Sequence, residues 1–160
     1  MRLIKSILPL VAVMVVAITL LVTAGCSAGP TETRDDSFSV NGTATLVVNG
    51  DNGWIKVNTG TDDEVRIQAT LRGIDRIDYE VSQDGNTITV LAEIDQGWFI
   101  SNVGVDITIT APVSTDVELE ISNGAIELNG IEGTGTLRTS NGEIVLENVK
   151  GDFEGRTSNG

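Results

Sequence analysis

Residues 121–138 read ISNGAIELNGIEGTGTLR, residues 139–156 read TSNGEIVLENVKGDFEGR, and residues 157–160 begin the phrase again with TSNG. The three SNG triplets start at Ser122, Ser140 and Ser158, a spacing of 18 residues. Self-similarity at a fixed period is the mark of a repeat architecture. The match extends well past the triplet: Ile126 aligns with Ile144, Leu128 with Leu146, Ile131 with Val149, Gly133 with Gly151 and Arg138 with Arg156. Within one unit, Ile126 and Leu128 alternate with polar residues, the chain bends near Gly130 to Gly133, and Gly135, Leu137 and Thr139 alternate again. Period-two alternation marks strands. Two short strands and two corners therefore close one coil, and coils that cannot bury an apolar face alone must stack.

Stacking at this period predicts its own packing. Gly135 falls beside Phe153 and Leu137 beside Gly155, so each large side chain faces a small neighbour, as a close-packed interior demands. One unit earlier, Val117, Leu119 and Ile121 fall in the same inward rows, while Glu120, Arg138 and Arg156 form an outward row. The corners carry Asn123 and Gly124, Asn141 and Gly142, and Asn159 and Gly160. Glycine turns the backbone through positive φ, asparagine tolerates it, and stacked asparagines can bond amide to amide. The SNG triplets are thus read as structural turns. A stack that stops partway through a coil exposes strand edges, from which a continuation beyond Gly160 is expected.

Working outward, the same alternation runs through TATLVV, WIKV, EVRIQATL, IDYEV, TITVLAEI, VDITIT and VELEI, separated by Asn, Asp and Gly. No segment of the mature part carries a convincing helical stripe, so the expected fold is all-β: a solenoid-like stack of short strands over residues 38–160.

Ahead of it, Arg2 and Lys5 precede a run without charge from Ser6 to Thr31, whose apolar stretch ends at Ala24, Gly25 and Cys26. A positive start, an apolar middle and small residues form an export signal over 1–25. LLVTAGC resembles a bacterial lipobox, with Thr23 where leucine is usual, and marks Cys26 for lipid attachment. The other reading is an uncleaved membrane helix, since about 20 apolar residues span a bilayer. Both readings place the domain outside the cytoplasm, anchored at the cell envelope. Residues 26–37 then read as the lipidated cysteine and a polar tether.

The 160 residues carry a formal charge of −13, and the part from Ser27 onward holds 8 basic against 23 acidic residues. Such a charge repels nucleic acid. With no histidine and one cysteine, triads using histidine and zinc sites of His or Cys are excluded. No phosphate loop, EF-hand or calcium-binding nonapeptide is present, so neither a cofactor nor a metal is expected. Neighbouring carboxylates such as Asp35 and Asp36 read as loop charges. Two aromatic features remain as candidates for partner binding. Trp54 aligns with Ala125 and Glu143 and points outward, where lying under a loop or the first coil's edge is the other reading. Trp98 and Phe99 sit together between strands, where capping an open end of the core is the other reading.

The arrangement of LVVNGDNGWIKV, VDITITAPVSTDVELEISNGAIEL and the following G-D-x-x-x-R-T-S-N-G unit resembles the bacterial β-strand-repeat family labelled putative adhesin, related to the toastrack domains of envelope-stress systems. The resemblance covers about Phe38 to Gly160. It implies a β-solenoid-like domain displayed at the envelope, and it brings no catalytic residues with it. The expected function is non-catalytic, in adhesion or as a scaffold or sensor of envelope organisation, with an envelope protein or glycan as partner. The alternative is a carbohydrate-active β-helix enzyme, which needs a cluster of acids, or of Lys and Arg with a cation, on one outward face.

Overall fold

The computed structural model describes residues 30–60, 63–95 and 102–160. Apart from one 3-10 turn at Ile74–Arg76, the regular structure is all β: β1 (Thr31–Ser39), β2 (Ala44–Thr59), β3 (Glu64–Arg72), β4 (Ile77–Asp84), β5 (Thr87–Ile94), β6 (Gly104–Ala111), β7 (Thr115–Asn123), β8 (Ile126–Asn129), β9 (Glu132–Asn141), β10 (Ile144–Glu147) and β11 (Lys150–Asn159).

The pairing resolves into two ladders that share β2. One runs β4, β5, the first half of β2, β7, β9 and β11. The other runs β1, β3, β6, the second half of β2, β8 and β10. Inward residues of β2 switch parity between the halves: Ala44, Leu46 and Val48 are buried before the bend, Ile55 and Val57 after it. The same switch separates Leu119 and Ile121 from Ile126 and Leu128. One residue out of step carries the chain around the corner while keeping its apolar side inward, so a single core lies between the ladders.

The coil register follows the 18-residue period. Phe153 pairs with Gly135, Gly155 with Leu137 and Arg156 with Arg138, while Val117, Leu119 and Glu120 pair with Gly135, Leu137 and Arg138. Gly135 is required by more than its large neighbour, because a Cβ there would lie 2.2 Å from the Val117 carbonyl oxygen. Gly155 is under less constraint: a Cβ there meets only Ile144, at 3.6 Å. Glu120 and Arg138 share a row without forming an ion pair, and Arg156 instead holds Glu154 of its own strand at 2.7 Å.

Two features depart from the sequence reading. β1 takes in residues 31–37, read as tether, and pairs antiparallel with β3 from Thr31 opposite Arg72 to Ser39 opposite Glu64. It escaped the pattern because its inner positions, Glu32, Arg34, Asp36 and Phe38, are mostly charged. Pairing rests on backbone groups, and inward charges suit an edge strand. Second, the stack is not parallel throughout. β1, β3 and β4 run antiparallel to their neighbours, and they close one end, with Phe38, Ile77, Tyr79 and Val81 packed against the core. Arg34 of β1 joins the outermost strands there, its guanidinium 5.4 Å from the Tyr79 ring centre and donating to the Tyr79 carbonyl at 3.4 Å.

Candidate partner-binding face

The corner that turns β7 into β8 sets the geometry of the face beside it. Asn123 donates its side-chain amide to Asn52 Oδ1 at 2.8 Å, Asn141 to Asn123 at 2.8 Å, and Asn159 to Asn141 at 2.9 Å. The expected asparagine ladder is present and one rung longer, with Asn52 of β2 as its first member. Next to it the glycines stack so closely that a Cβ on Gly124, whose φ is +147°, would lie 1.6 Å from the Gly53 carbonyl oxygen. Gly142 repeats this over Gly124, at 2.1 Å. The hydroxyls of Thr139 and Thr157 donate to the carbonyls of Gly124 and Gly142 at 2.9 and 2.8 Å. The triplets are thus occupied in holding the corner, as read from sequence, and the threonine before each of the last two belongs to the device.

One residue beyond the glycines the chain enters the second ladder, and the row there is Asp106, Trp54, Ala125 and Glu143. Trp54 pairs with Asp106. Ile55 donates its N–H to the Ala125 carbonyl and Ile126 to the Glu143 carbonyl, each at 3.0 Å. Since Ile55 and Ile126 are buried, the residues before them face outward, and Trp54 is 39% exposed. The sequence alignment of Trp54 with Ala125 and Glu143 is therefore a spatial row. Cα atoms of Trp54 and Glu143 are separated by two strand spacings, about 10 Å, with only the Ala125 methyl between them.

The cations nearest this row are committed. Arg72 reaches Asp106 through both terminal nitrogens, Nη2 to Oδ1 at 3.1 Å and Nη1 to Oδ2. Lys56, two residues from Trp54 on the same face, holds Glu127 Oε2 at 2.6 Å. The hydrogen bonds to these carboxylates raise the pKa of both cations, so both stay charged and paired at neutral pH. Among the described residues, no ion pair engages Glu143 or Glu147, and no cation lies over the Trp54 ring. The face presents a partly exposed indole in one row with the Glu143 carboxylate, which no cation among the described residues pairs with.

The other candidates are distributed differently. Cys26, Trp98 and Phe99 lie outside the described residues. Among the described residues there is no cluster of three or more His, Cys, Asp or Glu able to hold a metal. The perturbed carboxyl belongs to the closed end: burial pushes Asp36 up, partly offset by Arg34. Tyr79 is pushed up by burial and by Asp36, and its hydroxyl is buried without a hydrogen-bond partner. These groups lie inside the end cap, where they shape stability rather than a ligand site.

No protein-family model matches the chain, and no curated protein matches it. Solved structures do. One described as a putative cell adhesion protein from Clostridium sporogenes is 9% identical, with a TM-score of 0.49 over 79% of this chain and 99% of its own length. A putative adhesin from Bacteroides fragilis is 12% identical, with a TM-score of 0.34 over 78% of this chain and 97% of its own. Another from Parabacteroides distasonis is 12% identical with a TM-score of 0.36, over 79% of this chain and 63% of its own. The last two carry the label of the family that the repeat motifs resemble, putative adhesin.

Proposed function

We propose that this chain is a non-catalytic binding domain of the cell envelope, held outside the cytoplasm by a lipid on Cys26 and acting in adhesion or in envelope scaffolding and sensing. The observation that carries the binding role is Trp54. An indole 39% exposed on the outside of the second ladder, beside the corner held by the asparagine ladder, is placed for a partner rather than for the core. Large aromatics of this kind dominate recognition surfaces because they offer wide contact area with few rotatable bonds. The repeated corner gives the indole a fixed platform, which reduces the ordering cost of association.

The anchor is tested by replacing Cys26 with Ser: acyl labelling and signal cleavage are expected to be lost, and unchanged labelling refutes the lipid. The binding role is tested on cells displaying the full chain, scored for retention on immobilised envelope glycan and on immobilised envelope proteins. Retention that falls on Trp54→Ala supports the reading. Turnover of an envelope glycan by the full chain, abolished by neutralising one carboxylate, establishes the enzyme alternative instead.

A further inference from the structure

We infer that the notch between Trp54 and Glu143 accepts a cationic side chain, and that the partner it fits is an extended basic segment of another protein. The inference rests on the binding role of Trp54 and names the chemistry of what it binds. The indole face carries a negative quadrupole that attracts ammonium and guanidinium groups. Glu143, two strands away in the same row, supplies a full negative charge without a cation of its own among the described residues. Ala125 between them is small enough for a side chain to lie over it, flanked by the ring and the carboxylate. Glu147 extends the acidic side along the last strand of the ladder, opposite Asn129.

Among the described residues no cation lies over the Trp54 ring or pairs with Glu143, although two cations stand close by. Lys56 is drawn to Glu127 and Arg72 to Asp106, so neither covers the ring. Lys56 also interacts with the Glu147 charge, so the carboxylate of the row left without a cation among the described residues is Glu143, and the net charge of the whole chain has the same sign. An anionic ligand is repelled by both. A neutral sugar could stack on the indole but would derive nothing from the carboxylate. A basic segment satisfies the ring and the carboxylate together, and strand alternation places every second side chain on one face.

The test uses the full chain in nanodiscs of zwitterionic lipid and a synthetic decapeptide of alternating arginine and serine, with a peptide carrying citrulline in place of arginine as the neutral isostere. The arginine peptide is expected to bind and to shift the Trp54 indole N–H resonance, assigned by its loss in Trp54→Ala. Trp54→Ala should weaken binding about fivefold and Glu143→Gln about threefold, with the β-sheet circular dichroism unchanged in both. Glu118→Gln, the same charge change on the outer face of the other ladder, should leave affinity unaltered. Equal binding of the citrulline peptide, equal loss in Glu118→Gln and Glu143→Gln, or no loss in Trp54→Ala overturns the inference. If the arginine peptide fails to bind while retention of displaying cells still depends on Trp54, the binding role stands and its cationic ligand is refuted.

Discussion

The two ends of this molecule solve the same problem in different ways. In the repeat stack from β7 to β11, parallel strands superpose matching corners, so one asparagine and one glycine recur at each level. At the opposite end, β1 and β4 run antiparallel and nothing repeats. Charged residues face inward from β1 and an unpaired phenol is buried beneath it. Repetition makes every corner depend on the one below, and small departures are costly there. The closed end has a looser interior of partly buried groups, so it should tolerate change, and some of its polar groups should oppose folding.

The sharpest way to break that contrast is at Gly124. A valine there must place its Cβ on the Gly53 carbonyl oxygen while holding a φ of +147°. The expected cost is about 4 kcal/mol or more, read as loss of the cooperative melt; a near-normal melt would show that the corners are not rigidly stacked. Leu137→Ala removes a fully buried side chain between Leu119 and Gly155, and should cost about 3 kcal/mol by urea denaturation. Asn141→Ala removes the middle of the ladder, leaving Asn123 and Asn159 without their partner. Because these amides are exposed, water replaces the bonds and the loss should be about 1 kcal/mol.

At the closed end the signs reverse. Tyr79→Phe deletes a buried hydroxyl with no partner, so the variant should be as stable as the parent or more stable, by up to about 1 kcal/mol. A clear loss would reveal a bond of that hydroxyl and make the two ends alike. The smallest effect concerns pH. Asp36 has a pKa raised above its ordinary 3.8, chiefly by burial, so the folded state binds this proton more tightly than the unfolded chain. Its contribution favours folding below that value and is lost as pH rises through the folded pKa. Asp36→Asn should therefore raise Tm at neutral pH and make the change of stability with rising pH less negative above pH 3.8, whereas a more negative change would reverse the assignment.

Much of the candidate face was legible beforehand. Aligning NGWIKV with NGAIEL and NGEIVL put Trp54, Ala125 and Glu143 in one row, and the row exists because β2 obeys the same corner as the repeats. What escaped was the commitment of the neighbouring cations. Arg72 and Asp106 lie on β3 and β6, 34 residues apart, and no local pattern relates them. Asn52 escaped for a similar reason: NGDNG reads as a turn, and only the parallel pairing of β2 with β7 makes it the first rung of the ladder.

By itself the sequence determined the all-β class, the coil period, the inward rows and the residues of the corners. Each of these is repeated, and when the same spacing recurs, stacking satisfies side-chain volume and backbone pairing at every level in the same register. Only the tertiary structure decided how the stack is closed and where β2 sits. β1 carries charges on its inner positions, and its strand character comes from the free edge of β3 rather than from its own side chains. β2 became the shared strand of both ladders because partners distant in the chain, β5 and β6 on one side and β7 and β8 on the other, lie against its two halves. Hydrogen bonding between strands depends on which edges meet in space, and a side-chain pattern records that only where it repeats.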